Sequence, residues 1–137
     1  MSIITEQGVI VIDPGSGYIK AGFAGEDTPR VVIPSVAINL AHQSTPAEVT
    51  HMFKDVEWVF GYDALDAIRV SLEATGRQTL VAVRPIERGV IKDWESFELL
   101  IEYVICQCLG VREPALVRQT VVISSCVHKR HCTSQQS

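Results

Sequence analysis

The chain has 137 residues, of which 47% are hydrophobic and 20% are charged. This composition predicts a single globular domain and excludes a disordered chain of low hydrophobicity. Its 12 basic and 16 acidic side chains give a formal net charge of -4. Such a balance provides no attraction to nucleic acid or to an anionic membrane surface, so neither is predicted as a partner.

The N-terminal residues and the cysteines indicate the cellular compartment of the protein. The first eight residues, MSIITEQG, show no basic segment followed by an apolar one, and no apolar run approaches the roughly 20 residues of a membrane helix. The spacing of the four cysteines does not resemble a disulfide framework. These cysteines are Cys106, Cys108, Cys126 and Cys132. We therefore expect a soluble protein of a reducing, intracellular compartment.

The first 33 residues predict three antiparallel strands. Gly8 to Asp13 is a short β-branched run that stops at Pro14-Gly15-Ser16-Gly17, a cluster typical of a tight reversal. Tyr18 to Ala24 and Arg30 to Ile33 have the composition of two further strands, and turn-forming residues separate them. A hairpin followed by a third strand is the predicted opening of the fold.

The middle of the chain has no long period. Residues 35–84 mix polar and apolar positions and predict a smaller, more mobile insertion, in which residues 61–69 form the clearest helical stretch.

A longer helix is predicted after Pro85, with Asp93 as its cap and Gly110 as its stop. Apolar residues recur along it at helical spacing: Trp94, Phe97, Leu100, Ile101, Val104, Ile105 and Cys108. Trp94, Phe97 and the two cysteines of this helix are predicted to be buried. Val121 to Ile123 predicts a strand parallel to a neighbour, and residues 124–137 predict a disordered tail.

The turn after the first strand has the residue types of a phosphate-binding loop. Glycine is suited to such a loop because it reaches positive φ and has no Cβ to block a ligand. Ser16 adds a hydroxyl donor, Lys20 adds a cation, and Asp13 adds a carboxylate that could hold Mg²⁺ through its waters. Taken alone, Pro14 to Gly17 favours a plain hairpin turn, because short glycine motifs often occur without a ligand.

The surrounding sequence favours the first interpretation. Residues 13–35, DPGSGYIKAGFAGEDTPRVVIPS, resemble almost residue for residue the first phosphate hairpin of actin and actin-related proteins. Residues 85–94, PIERGVIKDW, are similar to the family's proline-isoleucine-glutamate-histidine-glycine stretch and the helix start that follows it. The resemblance extends from Val9 to Ile123 and is thinnest between residues 36 and 84.

The resemblance implies an α/β fold of the ribonuclease-H-like type shared by the ATPase domains of actin and Hsp70, present here in part. Residues 1–34 and 85–123 would belong to the core of the first actin subdomain. Residues 35–84 would form the insertion that corresponds to the second subdomain, and residues 124–137 would be a divergent tail.

The same resemblance implies a site for ATP or ADP with Mg²⁺ or Ca²⁺. By position, Asp13 would belong to the metal and water network, and Lys20 would neutralise the phosphates. The loop residues implied in nucleotide binding are Gly15, Ser16, Gly17 and Tyr18. Implied partners are actin-like subunits or actin-binding proteins, in the cytoplasmic cytoskeleton or, as the alternative, in the nucleus.

Three departures from the family pattern leave three hypotheses open. Pro14 stands where most actins have asparagine, Arg88 stands where many have histidine, and nothing after Ile123 resembles the family's second hairpin. Because half of a phosphate clamp leaves the nucleophile unplaced, ATP hydrolysis by this chain alone is not expected. The chain could be a shortened actin-like protein, an interaction module acting through residues 35–84, or a nonfunctional truncated product.

One further cluster contains possible zinc ligands. Cys126, His128, His131 and Cys132 lie within seven residues of one another. That spacing does not suit one tetrahedral ion, so a disordered tail is the favoured interpretation.

Overall fold

The computed structural model describes residues 9–111 and the backbone of residues 120–122. The elements follow one another as β1 (Ile10–Pro14), β2 (Tyr18–Phe23), β3 (Val31–Pro34), β4 (Ala37–Asn39), α1 (Ala47–Met52), β5 (Trp58–Phe60), α2 (Gly61–Thr75), β6 (Ile86–Glu87), β7 (Val90–Ile91), α3 (Trp94–Tyr103), a π-helical turn (Val104–Cys108) and β8 (Thr120–Val122).

The largest sheet has four strands in the order β3-β2-β1-β8. The first three are antiparallel neighbours, and β8 lies parallel to β1 with Val121 opposite Val11. The three opening strands are therefore confirmed, as is a parallel strand over Val121 and Val122. Ile123, the last residue predicted for that strand, lies outside the described residues.

Alternation along β1 determines which face of the sheet is buried. Ile10 and Ile12 are fully buried, whereas Asp13 is exposed, as expected when successive side chains point to opposite faces. The buried face packs against Leu100 of α3 and Val104 of the π-helical turn, which together form the α3 segment. Each fully buried Ile, Leu or Val of this kind contributes about 1.5–3 kcal/mol through the hydrophobic effect.

The long helix is confirmed, with differences at its two ends. Asp93 occupies the cap position, but its side chain makes no cap hydrogen bond; instead its carbonyl accepts a 3.3 Å bond from the Ser96 hydroxyl. The last turn is π-helical, with the Leu109 amide donating to Val104 O at 2.9 Å. Gly110 follows with φ +72, so its predicted role as the helix stop is confirmed.

Burial of this helix is less complete than its pattern predicts. Phe97 is buried, but Trp94 is 38% exposed and meets Phe97 edge-on with ring centroids 5.6 Å apart. Cys106 and Cys108 are half-buried, so the prediction of two buried cysteines was wrong in degree. The apolar stripe of this segment is wider than the face that the sheet covers.

Residues 35–84 contain more regular structure than their sequence predicts. β4 and β5 pair in antiparallel fashion, and α1 and α2 pack with them around Ile38, Val49 and Leu80. Only the start of α2 is predicted by the sequence, and the helix continues to Thr75. A strand of three residues is too short to show an alternating pattern, so the sequence does not predict β4 and β5.

A short hairpin, β6–β7, precedes α3. Ile86 and Ile91 pair across it and pack against Phe97. Its two-residue turn holds both residues in the left-handed region, with φ +50 at Arg88 and φ +73 at Gly89. This pair of positive φ values is the geometry that tight β-hairpins favour.

The cysteine and histidine cluster of residues 126–132 lies outside the described part of the chain, as does the predicted tail. Over residues 9–111 and 120–122, no helix is long and apolar enough to cross a membrane. The same residues contain no group of three or more histidine, cysteine or carboxylate side chains placed to hold a metal ion.

Candidate functional site

The hairpin between β1 and β2 has a two-residue tip. The Gly15 amide donates to Tyr18 O at 3.0 Å, which leaves Ser16 and Gly17 at the end of the turn. Both tip residues are exposed, and their amides make no hydrogen bond with any other described residue. Two amide donors are therefore available at the tip.

Ser35 fixes this hairpin from behind. Its hydroxyl donates to Gly15 O at 2.6 Å, and its amide donates to Gly17 O at 3.0 Å. Ser35 is fully buried, and its hydroxyl bond to Gly15 O is partly buried. Sequence reasoning quoted Ser35 as the end of the family motif but assigned it no role, because nothing in its local pattern indicates a contact 20 residues away.

The two glycines of the hairpin are needed for a reason different from the predicted one. Neither has positive φ, so this part of the prediction was wrong. A Cβ on Gly15 would lie 2.7 Å from Tyr18 O, whereas a Cβ on Gly17 would meet nothing within 4 Å. Close backbone approach explains Gly15, and Gly17 leaves an open side at which a ligand could arrive.

Asp13 and Lys20 lie side by side on the exposed face of the sheet. They are paired across β1 and β2, and paired residues of antiparallel strands share a face. Both border an open cavity of about 370 Å³ whose other wall is the loop of residues 24–29. A carboxylate and an ammonium group are thus neighbours one residue pair before the last pair of the hairpin, Pro14 and Ile19.

The predicted site residues do not all face one cavity. Ser16 borders a separate cavity of about 600 Å³, together with Arg84, Arg88 and Lys92. Tyr18 is 53% exposed on β2. The sequence does not predict Arg84 and Lys92 as site residues, because they are far from Ser16 in the chain and only the tertiary fold brings them to the same cavity.

These residues suit a phosphate group. The free amides of Ser16 and Gly17 and the Ser16 hydroxyl are donors, and Lys20 adds a positive charge. The exposed carboxylate of Asp13 suits a cation held through water. Proline has no backbone N–H, so Pro14 leaves the edge of the loop with one amide donor fewer, as the sequence analysis predicts.

The clearest pKa shifts of half-buried groups belong to Tyr103 and Cys108, which contact each other away from the hairpin. Burial raises the pKa of Tyr103 to about 12, with further contributions from Cys108 and Asp63. Burial also raises the pKa of the Cys108 thiol, and the hydrogen bond with Tyr103 partly opposes this. These groups join α3 to the start of α2, so we assign them a structural role.

Comparisons with known proteins agree with this architecture. The profile of the family described as Actin matches residues 4–133. Centractin of Schizosaccharomyces pombe is 35% identical over 97 residues, which cover 69% of this chain and 22% of that protein. Actin-related protein 3 of Drosophila melanogaster is 30% identical over 103 residues, which cover 72% of this chain and 22% of that protein.

The matched region thus spans about a fifth of the length of these curated relatives. Within that region the four-stranded sheet, the opening hairpin and the helix of the α3 segment form a partial actin-type fold. The match of the family profile to nearly the whole chain identifies it as a member of the actin family.

Proposed function

We propose that this chain carries the first phosphate-binding hairpin of an actin-type site for ATP or ADP with Mg²⁺ or Ca²⁺. The observation that supports the proposal best is the tip of the β1–β2 hairpin. There, Ser16 and Gly17 present amides that have no bond within the described residues, and Gly17 has an open side. Together with the match to the Actin family, these features favour a phosphate site over a plain turn.

Each residue of the hairpin has one role in this proposal. Ser16 and Gly17 donate to phosphate oxygens, Lys20 offsets their charge, and Asp13 orients water around the cation. The two bonds of Ser35 hold the carbonyls of Gly15 and Gly17, which helps to position the tip donors before the ligand arrives. The proposal covers the binding of the nucleotide phosphates and their cation and does not include hydrolysis by this chain alone.

We expect Lys20→Ala to weaken the binding of Mg-ATP about tenfold, because a hydrogen bond to a charged group contributes roughly 1.5–3 kcal/mol. Isothermal titration of the full chain measures this effect. Ser16→Ala removes one neutral donor and should weaken binding less than Lys20→Ala does.

Lys54→Ala is the matched control, because Lys54 is an exposed lysine of the segment between α1 and β5. It should leave the affinity unchanged. Equal losses in Lys20→Ala and Lys54→Ala would show a general charge effect, and no heat with the unmodified chain would remove the nucleotide from the proposal.

The biological setting follows from the family. We infer a role in the cytoskeleton or in a complex that uses actin-related subunits, with actin-like subunits or actin-binding proteins as partners. The cytoplasm is the proposed location and the nucleus the alternative. The names of the two relatives, centractin and actin-related protein 3, agree with this class of biology.

A second candidate function is an interaction module, and the surface of α2 supports it. Tyr62, Leu65 and Leu72 are 55%, 42% and 48% exposed and recur at helical spacing along α2. Arg69 lies between them and is held by Asp66 and Glu73. Large apolar side chains arranged in this way on a helix suit an actin-like partner surface.

We expect the double variant Leu65→Ser and Leu72→Ser to lose at least tenfold in affinity for purified actin filaments in co-sedimentation. Burying a leucine contributes about 1.5–3 kcal/mol, and both residues are already exposed, so the fold should be little affected. Val32→Ser, on β3 and 41% exposed, is the control. Equal losses in the two proteins would argue against the α2 surface.

A further inference from the structure

Every buried position of α2 carries a small side chain. These positions are Gly61, Ala64, Ala67 and Ser71. Ile68 and Val70 are partly buried against the core, whereas the larger apolar side chains of Tyr62, Leu65 and Leu72 are exposed. A helix that packs only against its own core turns its large apolar side chains inward. The outward face of α2 is therefore suited to a second contact.

The exposed apolar face of α2 follows a heptad pattern. Its members are separated by three, four and three residues, which is the alternation of the a and d positions of a coiled coil. We call this face the α2 seam, and its members are Tyr62, Leu65, Arg69 and Leu72. Residues at this spacing lie along one stripe of a helix, so one partner element can contact all of them.

Arg69 fits into the apolar seam because its charged group is held to one side. The guanidinium donates to Glu73 Oε1 at 3.0 Å and to Asp66 Oδ1 at 3.4 Å. The aliphatic part of the side chain is then left along the stripe between Leu65 and Leu72, where it can cover apolar surface of a partner. The charged residue therefore does not interrupt the seam.

A second α-helix is the element that fits the α2 seam. The 15 residues of α2 span about 22 Å, or about two heptads. In a helix pair, each a or d side chain inserts into a hole formed by four residues of the facing helix. A β-strand repeats its side chains every two residues, so it does not match the alternating spacing of three and four.

A second copy of α2 is a poor match for the seam. Two parallel copies would place Arg69 opposite Arg69 at the same a position. Two antiparallel copies would place the e positions opposite each other, so Asp66 and Glu73 would meet the same two carboxylates. Like charges meet in both arrangements, and the helix that fits therefore belongs to another protein.

The charges beside the seam indicate the chemistry of that helix. Asp66 and Glu73 flank the seam on one side, and each uses one carboxylate oxygen for Arg69. Their other oxygens form no hydrogen bond within residues 9–111. Two carboxylates beside one guanidinium leave this edge negative, so lysine or arginine on the facing helix is complementary.

We propose that the α2 seam binds an amphipathic α-helix of a partner protein, whose apolar stripe is flanked by lysine or arginine. The proposal rests on the second candidate function, the interaction module, and adds the structure and the charge of the partner's contact. Because the seam is only about two heptads long, the interface is small and the complex is expected to be reversible.

Two synthetic three-heptad peptides test the proposal. Both carry isoleucine at a and leucine at d, and one has lysine at e and g where the other has glutamate. Like charges at e and g keep each peptide from pairing with itself, so each is available to the chain. Fluorescence anisotropy with the full chain should show roughly fivefold tighter binding of the lysine peptide, and salt should reduce this preference.

Leu65→Ala combined with Leu72→Ala should weaken binding of the lysine peptide at least about tenfold. The thermal midpoint should change little, because both leucines are exposed and alanine favours the helix. Asp66→Asn combined with Glu73→Gln should instead abolish the preference for the lysine peptide. Val32→Ala, which is exposed on β3 outside the seam, is the matched control and should bind both peptides as the unmodified chain does.

The proposal is overturned if neither peptide binds, if the two bind equally well, or if Val32→Ala loses as much affinity as the leucine variant. A concentration-dependent dimer that the leucine variant abolishes would also overturn it, since the seam would then bind a second copy. Co-sedimentation with actin filaments separates the proposal from the function on which it rests. Binding of the lysine peptide without co-sedimentation supports the proposal and removes filaments as the partner, whereas co-sedimentation without peptide binding overturns the proposal alone.

Discussion

Gly15→Ala is expected to unfold the β1–β2 hairpin locally and to lower the stability of the chain by on the order of 1–3 kcal/mol. The new Cβ would lie 2.7 Å from Tyr18 O, and that oxygen belongs to the backbone, so no side-chain rotation relieves the contact. The strands must separate, which weakens the 3.0 Å bond from the Gly15 amide to the same oxygen. Urea denaturation measures the loss.

Gly17→Ala is the matched control, two residues away in the same turn. Its Cβ meets nothing within 4 Å, and its φ is not in the left-handed region. The effect of replacing glycine on the unfolded chain is the same in both variants, so their difference reports the native contact. Equal stability of the two proteins would contradict the close approach at Gly15.

Gly17→Ala also tests whether a ligand reaches the hairpin at the open side of Gly17. Its methyl group would occupy the open space at the tip, beside the free amides of Ser16 and Gly17. A protein that keeps its stability but loses affinity for Mg-ATP would therefore support that open side as the approach of the phosphates. This separates a defect in the fold from a defect in the site.

The opening sheet could be predicted from the sequence because its signals are local. Gly8 to Asp13 combines β-branched residues with an immediate turn cluster, and the helix of the α3 segment repeats its apolar residues over several turns. The three-residue strands β4 and β5 offer no such period. They are defined by long-range pairing, such as that of Ala37 with Phe60, which one sequence does not reveal.

The sequence predicts part of the candidate site, as it predicts part of the fold. Residue types and the family resemblance point to Asp13, Ser16 and Lys20, but pattern alone does not say that Ser16 borders a different cavity from the other two. Ser35 is separated from Gly15 by 20 residues, so its bond to the hairpin depends on the tertiary fold. The division into subdomains 1–34 with 85–123, and 35–84, stays a prediction.

Two of the three departures from the family pattern, Pro14 and Arg88, lie within the described residues and have different consequences. Pro14 is buried, and its missing amide reduces the donors at the edge of the loop. Arg88 adds a permanent charge at a turn with φ +50 and borders the cavity of about 600 Å³ beside Ser16.

Gly61→Ala is expected to destabilise the chain by roughly 2–4 kcal/mol, which combines backbone strain with a steric contact. Gly61 begins α2 with φ +59, and its amide donates to Val36 O at 3.0 Å. A Cβ there would lie 3.2 Å from Cβ and Cδ1 of Ile33 in β3. Because Gly61 is the point where α2 meets the large sheet, relief of the contact would shift the helix.

Gly76→Ala, at the other end of α2, isolates the strain. Gly76 has φ +71, but its Cβ would meet nothing within 4 Å, so only about 1–2 kcal/mol of left-handed strain is expected. Urea denaturation of both variants gives the difference, which measures the contact between α2 and Ile33. Should Gly61→Ala prove no more destabilising than Gly76→Ala, the packing of α2 against β3 would be looser than these distances imply.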